Sequence, residues 1–229
     1  MYASPSTVGS LLMPDDQVVT KETDVREIFR NNKVIQFEPM VEWGLGRIFA
    51  LSDDGVRALR HDMDGKGDVM LFNQHTFYAN ALKEGPELEQ LTQNFCRELY
   101  KLLDRFDEQV GDGTVEVELR DWSRTFLGTA ATTALLGPAM LEHICPDILD
   151  HLWQFEMDLF KFVFGLPRWV IPNTHKNRDK IIDAFEEYSK DPHNKVGAVP
   201  MIPGREEHMR IAGMNNRDIG ASNFSVWSG

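Results

Sequence analysis

The sequence predicts a mainly α-helical fold with one or two short strands, and three observations lead to this prediction. Apolar residues recur every three or four positions through 88–106 and again through 148–163, which is the spacing of one helix face. Glycine and proline lie at the ends of both stripes, where helices begin and stop. Apolar and charged residues alternate convincingly only at Val115 to Leu119, which is the period of a half-buried strand.

The first part of the chain predicts short helices separated by a loop. An acidic start at Asp24, followed by apolar residues at helical spacing, predicts a helix over 24–31. Residues 53–68 are rich in Asp and Gly and predict a loop with one helical turn at 56–59. A second helix is expected over 70–82.

The clearest helix follows Gly85, with Pro86 at its first position. Its apolar face would consist of Leu88, Leu91, Phe95, Leu99, Leu102 and Phe106. A glycine-rich turn at 111–113 separates it from the predicted strand, and Asp121 can cap the next helix, which stops at Gly137.

The sequence pattern of the second half of the chain predicts three more helical segments and a loop. Residues 146–164 and 172–188 both have amphipathic patterns. Prolines and glycines over 192–204 predict a loop before a helical piece at 206–214.

An apolar helix is then expected from Asn216 or Asp218 to the last residue, without a stop signal. A domain seldom ends inside such a helix, so we expect a truncated chain. The apolar face that includes Ile219 and Phe224 would then lack cover.

Composition excludes several classes of function. The formal charge is −12, with 24 basic and 36 acidic residues and no basic run, so nucleic acid is an unexpected partner. Two cysteines cannot form a disulfide framework, and no secretory signal or membrane-spanning run is present in the sequence. Common nucleotide, hydrolase and zincin motifs are absent, and His143 with Cys145 is more typical of packing than of a metal site.

Four stretches of the sequence form a recognisable pattern: TDVREIFRN with VIQFEP (23–31 and 34–39), LTQNF with its downstream helix (91–106), GLPRWVIP with HKNRDKIIDAF (165–185), and DIGASNFSVWSG (218–229). Together they resemble the N-terminal half of the cytochrome P-450 family of haem-thiolate monooxygenases, with a particular likeness to fungal relatives of cholesterol 7α-hydroxylase and prostacyclin synthase. The resemblance implies a partial fold from helix B to the start of helix I. Residues 1–22 match poorly, and 23–229 would form an incomplete monooxygenase domain cut within helix I.

The resemblance also implies chemistry for the intact family. Members of the family use haem and electrons from a reductase to insert one atom of dioxygen into a lipophilic small molecule of lipid or secondary metabolism. They do so at the endoplasmic-reticulum membrane. The axial cysteine lies in a late Phe-x-x-Gly-x-x-x-Cys-x-Gly loop that neither Cys96 nor Cys145 matches, so both are interpreted as buried structural thiols. We expect this chain alone to bind no haem, to hold no metal or catalytic residue, and to be inactive.

Three groups of residues are site candidates through the same resemblance. The helix C signature Trp-x-x-x-Arg is missing, which leaves His75, or Asn73, as the donor for a haem propionate. Substrate contacts would come from 43–51, from 160–171 and from the last helix, with Phe160, Asn223 and Trp227 as the named candidates. A core role remains the alternative for the phenylalanines. The apolar run Phe160–Ile171, with its arginine and tryptophan, also predicts contact with a membrane surface.

Two other classes of function stay open at this point. A helical module without iron can use the same apolar interior to bind a hydrophobic ligand or a partner. An unrelated all-α interaction protein would use the helical stripes only as core. A reading frame that continues into the cysteine loop would separate the monooxygenase from both.

Overall fold

A computed structural model describes residues 21–30, 38–61 and 77–228, and within them the fold is mainly helical, as predicted. Nine α-helices occur in these ranges, together with a π-helical turn at Met140–Ile144, a 3-10 turn at Pro192–Lys195 and a short helical segment at 77–82. The α-helices are α1 (Glu22–Arg30), α2 (Glu38–Arg47), α3 (Asp53–Ala58), α4 (Pro86–Val110), α5 (Leu119–Leu136), α6 (Ile148–Val163), α7 (Pro172–Lys190), α8 (Met201–Ile211) and α9 (Asn216–Trp227).

Helix α9 lies in the centre of the described fold and packs most extensively against α7. The two backbones approach closely at Gly220, where a Cβ atom would lie 2.7 Å from the backbone nitrogen of Glu186. Helix α6 packs on the same α7, and α4 packs on α5. The core therefore lies where α6, α7 and α9 meet, with Phe155, Phe185 and Phe224 essentially inaccessible to solvent.

The expectation that the apolar face of the last helix lacks cover is wrong. Ile219 and Phe224 are both 0% exposed. The ring of Phe49, between α2 and α3, lies 5.1 Å from the ring of Phe224, and that of Phe155 on α6 lies 4.9 Å from it. Elements from the start and the middle of the chain thus cover α9, through contacts that helical periodicity could not predict.

The predicted strand at Val115–Leu119 is also wrong. Residues 114–118 have no regular structure, Leu119 already begins α5, and every residue from 111 to 121 is exposed. Alternation alone does not make a strand, because its backbone N–H and C=O groups need a neighbouring strand. No strand is present anywhere in the described ranges.

Several helix boundaries differ from the predicted ones for identifiable reasons. Helix α5 starts two residues before Asp121, because the carboxylate of Glu118 caps it by accepting from the backbone N–H of Asp121. Helix α8 starts at Met201, within the predicted loop, since a proline near the N-terminus of a helix loses no helical hydrogen bond. Helix α2 was not predicted, whereas α4, α6 and α7 are close to their predicted bounds.

Two further expectations concern the periphery of the fold. Residues 77–82 form the end of the helix predicted over 70–82, and the rest of that prediction lies outside the described residues, as does nearly all of the segment 1–22. Among the described helices, none is both long and apolar enough to cross a bilayer.

Candidate functional site

The segment 43–51 contacts both of the other segments that the resemblance assigns to substrate contact. Phe49, from the segment 43–51, packs edge-on against Phe224 of α9. Arg47, from the same segment, donates from Nε to the backbone oxygen of Phe162 over 3.3 Å. The segment 43–51 therefore lies against both the end of α6 and the middle of α9.

Asn223, a predicted substrate contact, has a fully engaged side chain. It is 1% exposed, its Oδ1 accepts from Nη1 of Arg205 at 3.1 Å, and its Nδ2 donates to Oε1 of Glu206 at 2.8 Å. The amide thus joins α9 to α8. In this arrangement Asn223 orients two buried charged groups, because each of its polar atoms already has a partner of opposite polarity.

Glu206 is the centre of this buried polar cluster. Its side chain is 0% exposed, and its carboxylate forms ion pairs with Lys195 at 3.1 Å and Arg210 at 3.2 Å. The hydroxyl of Ser189 on α7 also donates to it, over 3.1 Å. A buried carboxylate is stable only when paired and hydrogen-bonded in this way, so the cluster ties α7, α8 and α9 to one another.

Electrostatics in the cluster follow from burial. Desolvation lowers the pKa of Arg205, although Tyr78 and Glu206 oppose the shift. Burial, with the nearby Glu206 charge, raises the pKa of Tyr188, whose hydroxyl donates to the backbone oxygen of Leu136 over 2.8 Å. Sequence reasoning missed this cluster; its single visible signal was the spacing of Glu206 and Arg210, one helical turn apart.

Trp227 and Phe160, the other predicted substrate contacts, lie in different environments. Trp227 is half-buried, and its Nε1 donates to Oγ1 of Thr132 on α5 over 2.9 Å. Its ring lies 5.4 Å from that of Phe185. Phe160 is 71% exposed on α6. The three predicted substrate contacts thus lie in three different environments. The candidates for the haem propionate, His75 and Asn73, lie outside the described residues.

An apolar cavity of about 290 Å³ opens between the segment 77–82, α4, α5 and α9. Its lining residues are Tyr78, Ala81, Leu82, Glu87, Leu91, Leu135, Val199, Met201 and Val226. This volume lies just below the range that is usual for small-molecule sites, about 300–1,000 Å³. No motif could have indicated the cavity, because the lining residues are scattered over several elements.

Of the two cysteine predictions, burial is confirmed for Cys145 and is wrong for Cys96. Cys96 is exposed because it follows Phe95 by one residue, which turns it about 100° away from the apolar face of α4. Cys145 donates from Sγ to Oδ1 of Asp147 at 3.2 Å. Burial, together with Asp147, raises the pKa of this thiol from 9.0 to about 11.

These two thiols do not fit the axial position of a haem-thiolate centre. That position needs a thiolate, and Cys145 is held as a protonated donor while Cys96 lies on the outer face of a helix. The described ranges also contain no cluster of three His, Cys, Asp or Glu side chains arranged to hold a metal ion.

Comparison with known proteins gives one informative match. The chain is 23% identical over 175 residues to cytochrome P450 monooxygenase calL from Penicillium decumbens, an alignment that covers 71% of this chain. It covers 32% of that protein, so the chain spans about a third of the length of this relative. No model of a protein family matches the chain, and no solved structure matches it.

The match supports the resemblance at the level of a distant similarity to cytochrome P450 monooxygenases. The mainly helical fold agrees with it. The finer likeness to relatives of cholesterol 7α-hydroxylase and prostacyclin synthase stays a prediction.

Proposed function

We propose that the chain is an amino-terminal part of a haem-dependent monooxygenase that acts on a lipophilic small molecule, with residues 23–229 contributing to its catalytic domain. The observation that carries this proposal is the similarity to the Penicillium decumbens monooxygenase over 71% of the chain. The contact of 43–51 with the end of α6 and with α9 supports it, because these are the segments that the resemblance assigns to substrate contact.

Oxygen insertion is proposed for the whole protein and not for these 229 residues alone. In the whole protein, haem would supply the oxygen chemistry, and a reductase would supply electrons. The described residues contribute apolar walls and a buried polar cluster that holds α7, α8 and α9 in place. They supply no axial thiolate, since Cys145 remains a thiol at neutral pH and Cys96 lies on the outer face of α4.

Contact with a membrane surface, at the endoplasmic reticulum, is part of the same proposal. Phe160, Phe164 and Trp169 are 71%, 50% and 83% exposed around the connection between α6 and α7. Exposed aromatic rings beside Arg168 are typical of an interfacial contact, where the rings enter the headgroup region. Replacing Phe160 and Trp169 by Ser should abolish co-flotation of the chain with phosphatidylcholine vesicles, whereas Leu127→Ser, at an exposed site on α5, should not.

Two measurements test the proposed function. Sequencing of the transcript beyond the codon for Gly229 should reveal a frame that continues into two motifs of the intact family: a Glu-x-x-Arg pair, which locks the core beneath the haem, and the cysteine loop. The purified 229-residue chain, mixed with haemin, reduced and exposed to carbon monoxide, should not develop the Soret band of a thiolate-ligated haem. A transcript without these motifs would contradict membership in a monooxygenase, and a thiolate-type band would contradict the inactivity of this chain.

A further inference from the structure

We propose that the cavity between the segment 77–82, α4, α5 and α9 binds a small amphiphilic amine, with its alkyl chain inside and its ammonium group against Glu87. The site is separate from the side chains Phe160, Asn223 and Trp227. The inference does not rest on oxygen insertion, because it uses only the walls and charge of the cavity.

The walls of the cavity belong to the packed core. Ala81, Val199 and Met201 are 5%, 4% and 7% exposed, so their positions are set by neighbouring elements. Leu91 and Leu135 add apolar surface from α4 and α5. Leu82, at 62% exposure, marks the side that opens to solvent. A rigid apolar interior with an open mouth favours a ligand that is apolar at one end and polar at the other.

The volume limits the size of the ligand. A cavity of about 290 Å³ corresponds to about ten water-sized groups at about 30 Å³ each. An unbranched alkyl chain of about eight carbons with one polar head therefore fills it.

Charge determines which head group is favoured. Among the described lining residues Glu87 is the single charged one, and it has no hydrogen bond or ion pair within the described part of the chain. The other polar lining residue is Tyr78, and burial raises the pKa of its phenol, so it stays neutral. A carboxylate with no basic residue among the described residues of the lining attracts a cation and repels an anion. The overall charge of −12 acts in the same direction.

The test compares three probes with the same chain length but different heads: n-octylamine, 1-octanol and octanoate, each titrated calorimetrically into the 229-residue chain below its critical micelle concentration. We expect octylamine to bind about fivefold more tightly than octanol, because one partly exposed ion pair contributes a difference in affinity of about this size. Octanoate should bind most weakly. Equal affinities for octylamine and octanol would overturn the proposal.

Two carboxylates in the first turn of α4 provide a matched pair of variants. Glu87→Gln should remove the preference for octylamine and leave the octanol affinity within about twofold, because only the charge changes. Glu89→Gln should keep the preference, since Glu89 does not line the cavity and instead accepts a hydrogen bond from Gln93. The same effect from both variants would show a general charge effect and would overturn the assignment to Glu87.

A second pair of variants tests the location. Leu135→Trp should fill the cavity and weaken both octylamine and octanol by at least about tenfold, whereas Leu127→Trp, at an exposed site on the same helix, should not. Unchanged binding by a folded Leu135→Trp chain, judged by circular dichroism, would overturn the location. If that variant fails to fold, the Glu87 and Glu89 pair decides. The chain could also self-associate in a way that Leu135→Trp abolishes but octylamine does not change. That result would show that a second copy fills the cavity, and it would overturn the proposal.

Discussion

Asp218, in the first turn of α9, accepts hydrogen bonds from both polar groups of Ser52, 166 residues earlier in the chain. The backbone N–H of Ser52 lies 2.8 Å from Oδ1, and its hydroxyl lies 2.7 Å from Oδ2. The same hydroxyl caps α3 by accepting from the backbone N–H of Gly55. One carboxylate, 3% exposed, thus joins the start of α3 to the start of α9.

Asp218→Asn should lower the free energy of unfolding by about 1–3 kcal/mol, because the amide cannot accept from both groups of Ser52 and its N–H₂ would face a donor. Urea denaturation of the 229-residue chain measures this difference. Asp150→Asn, an exposed first-turn position of α6, is the control and should change stability by less than about 0.5 kcal/mol. Equal stability of the two variants would show that the link between α3 and α9 contributes nothing measurable.

Gly220→Ala should destabilise the chain by about 1–3 kcal/mol through overpacking. Its Cβ atom would lie 2.7 Å from the nitrogen of Glu186 and 3.1 Å from its Cα, so two helix backbones would have to separate. Gly44→Ala is the matched control, since a Cβ there meets no atom within 4 Å. In the interior of α2 this change should stabilise by about 0.5–1 kcal/mol. Thermal unfolding that shifts in the same direction for both variants would contradict the close approach of α7 and α9.

The parts of the fold that the sequence could predict are those governed by local pattern. Helices α4, α6 and α7 have apolar stripes with period 3.6, and glycine or proline near their ends. Helix α2 has no such stripe, and Gly44 and Gly46 lower its intrinsic helix propensity, so its stability must come from tertiary packing. Periodicity contains no information about that packing.

The candidate site was less predictable because its contacts are non-local. The resemblance named a segment, 43–51, that does contact the other two, but the side chains of Asn223 and Trp227 are engaged by Arg205, Glu206 and Thr132 from other helices. A sequence pattern reports which face of its own helix a residue occupies. It does not report which polar group of another helix lies opposite that face.

The two cysteines should differ sharply in reactivity. Iodoacetamide at pH 8 should alkylate the exposed Cys96 at least about tenfold faster than Cys145, because the thiolate is the nucleophile and the pKa of Cys145 is raised to about 11. Mass spectrometry of peptides from the labelled chain measures both rates. Comparable labelling of both thiols in the folded chain would contradict the hydrogen bond from Cys145 to Asp147.

The same raised pKa predicts a dependence of stability on pH. The folded chain holds the Cys145 proton more tightly than the unfolded chain does, so this contribution is fully present below pH 9.0 and is lost as pH rises through about 11. Cys145→Ala should therefore lose less stability across that interval than the parent chain, whereas Cys96→Ala should lose as much. Urea denaturation at several alkaline pH values measures the difference, and parallel curves for all three chains would contradict it.

Glu206→Gln tests whether the buried cluster is a structural link between α7, α8 and α9. The change removes the negative charge that faces Lys195 and Arg210 while the side chain keeps its size. Breaking a buried pair by removing one partner leaves uncompensated charge, so the free energy of unfolding should fall by about 3 kcal/mol or more.

Glu207→Gln, next to it on the exposed side of α8, removes the same charge and should change stability by less than about 0.5 kcal/mol. In the Glu206 variant the carbonyl oxygen of the new amide can still accept from Nδ2 of Asn223, but its N–H₂ group is a donor and cannot accept from Lys195 or Arg210. Hydrogen exchange should therefore rise in the last turns of α8 and the middle of α9 in the Glu206 variant and stay unchanged in the Glu207 variant. Protection that is identical in both would show that α8 and α9 are held together by apolar packing alone.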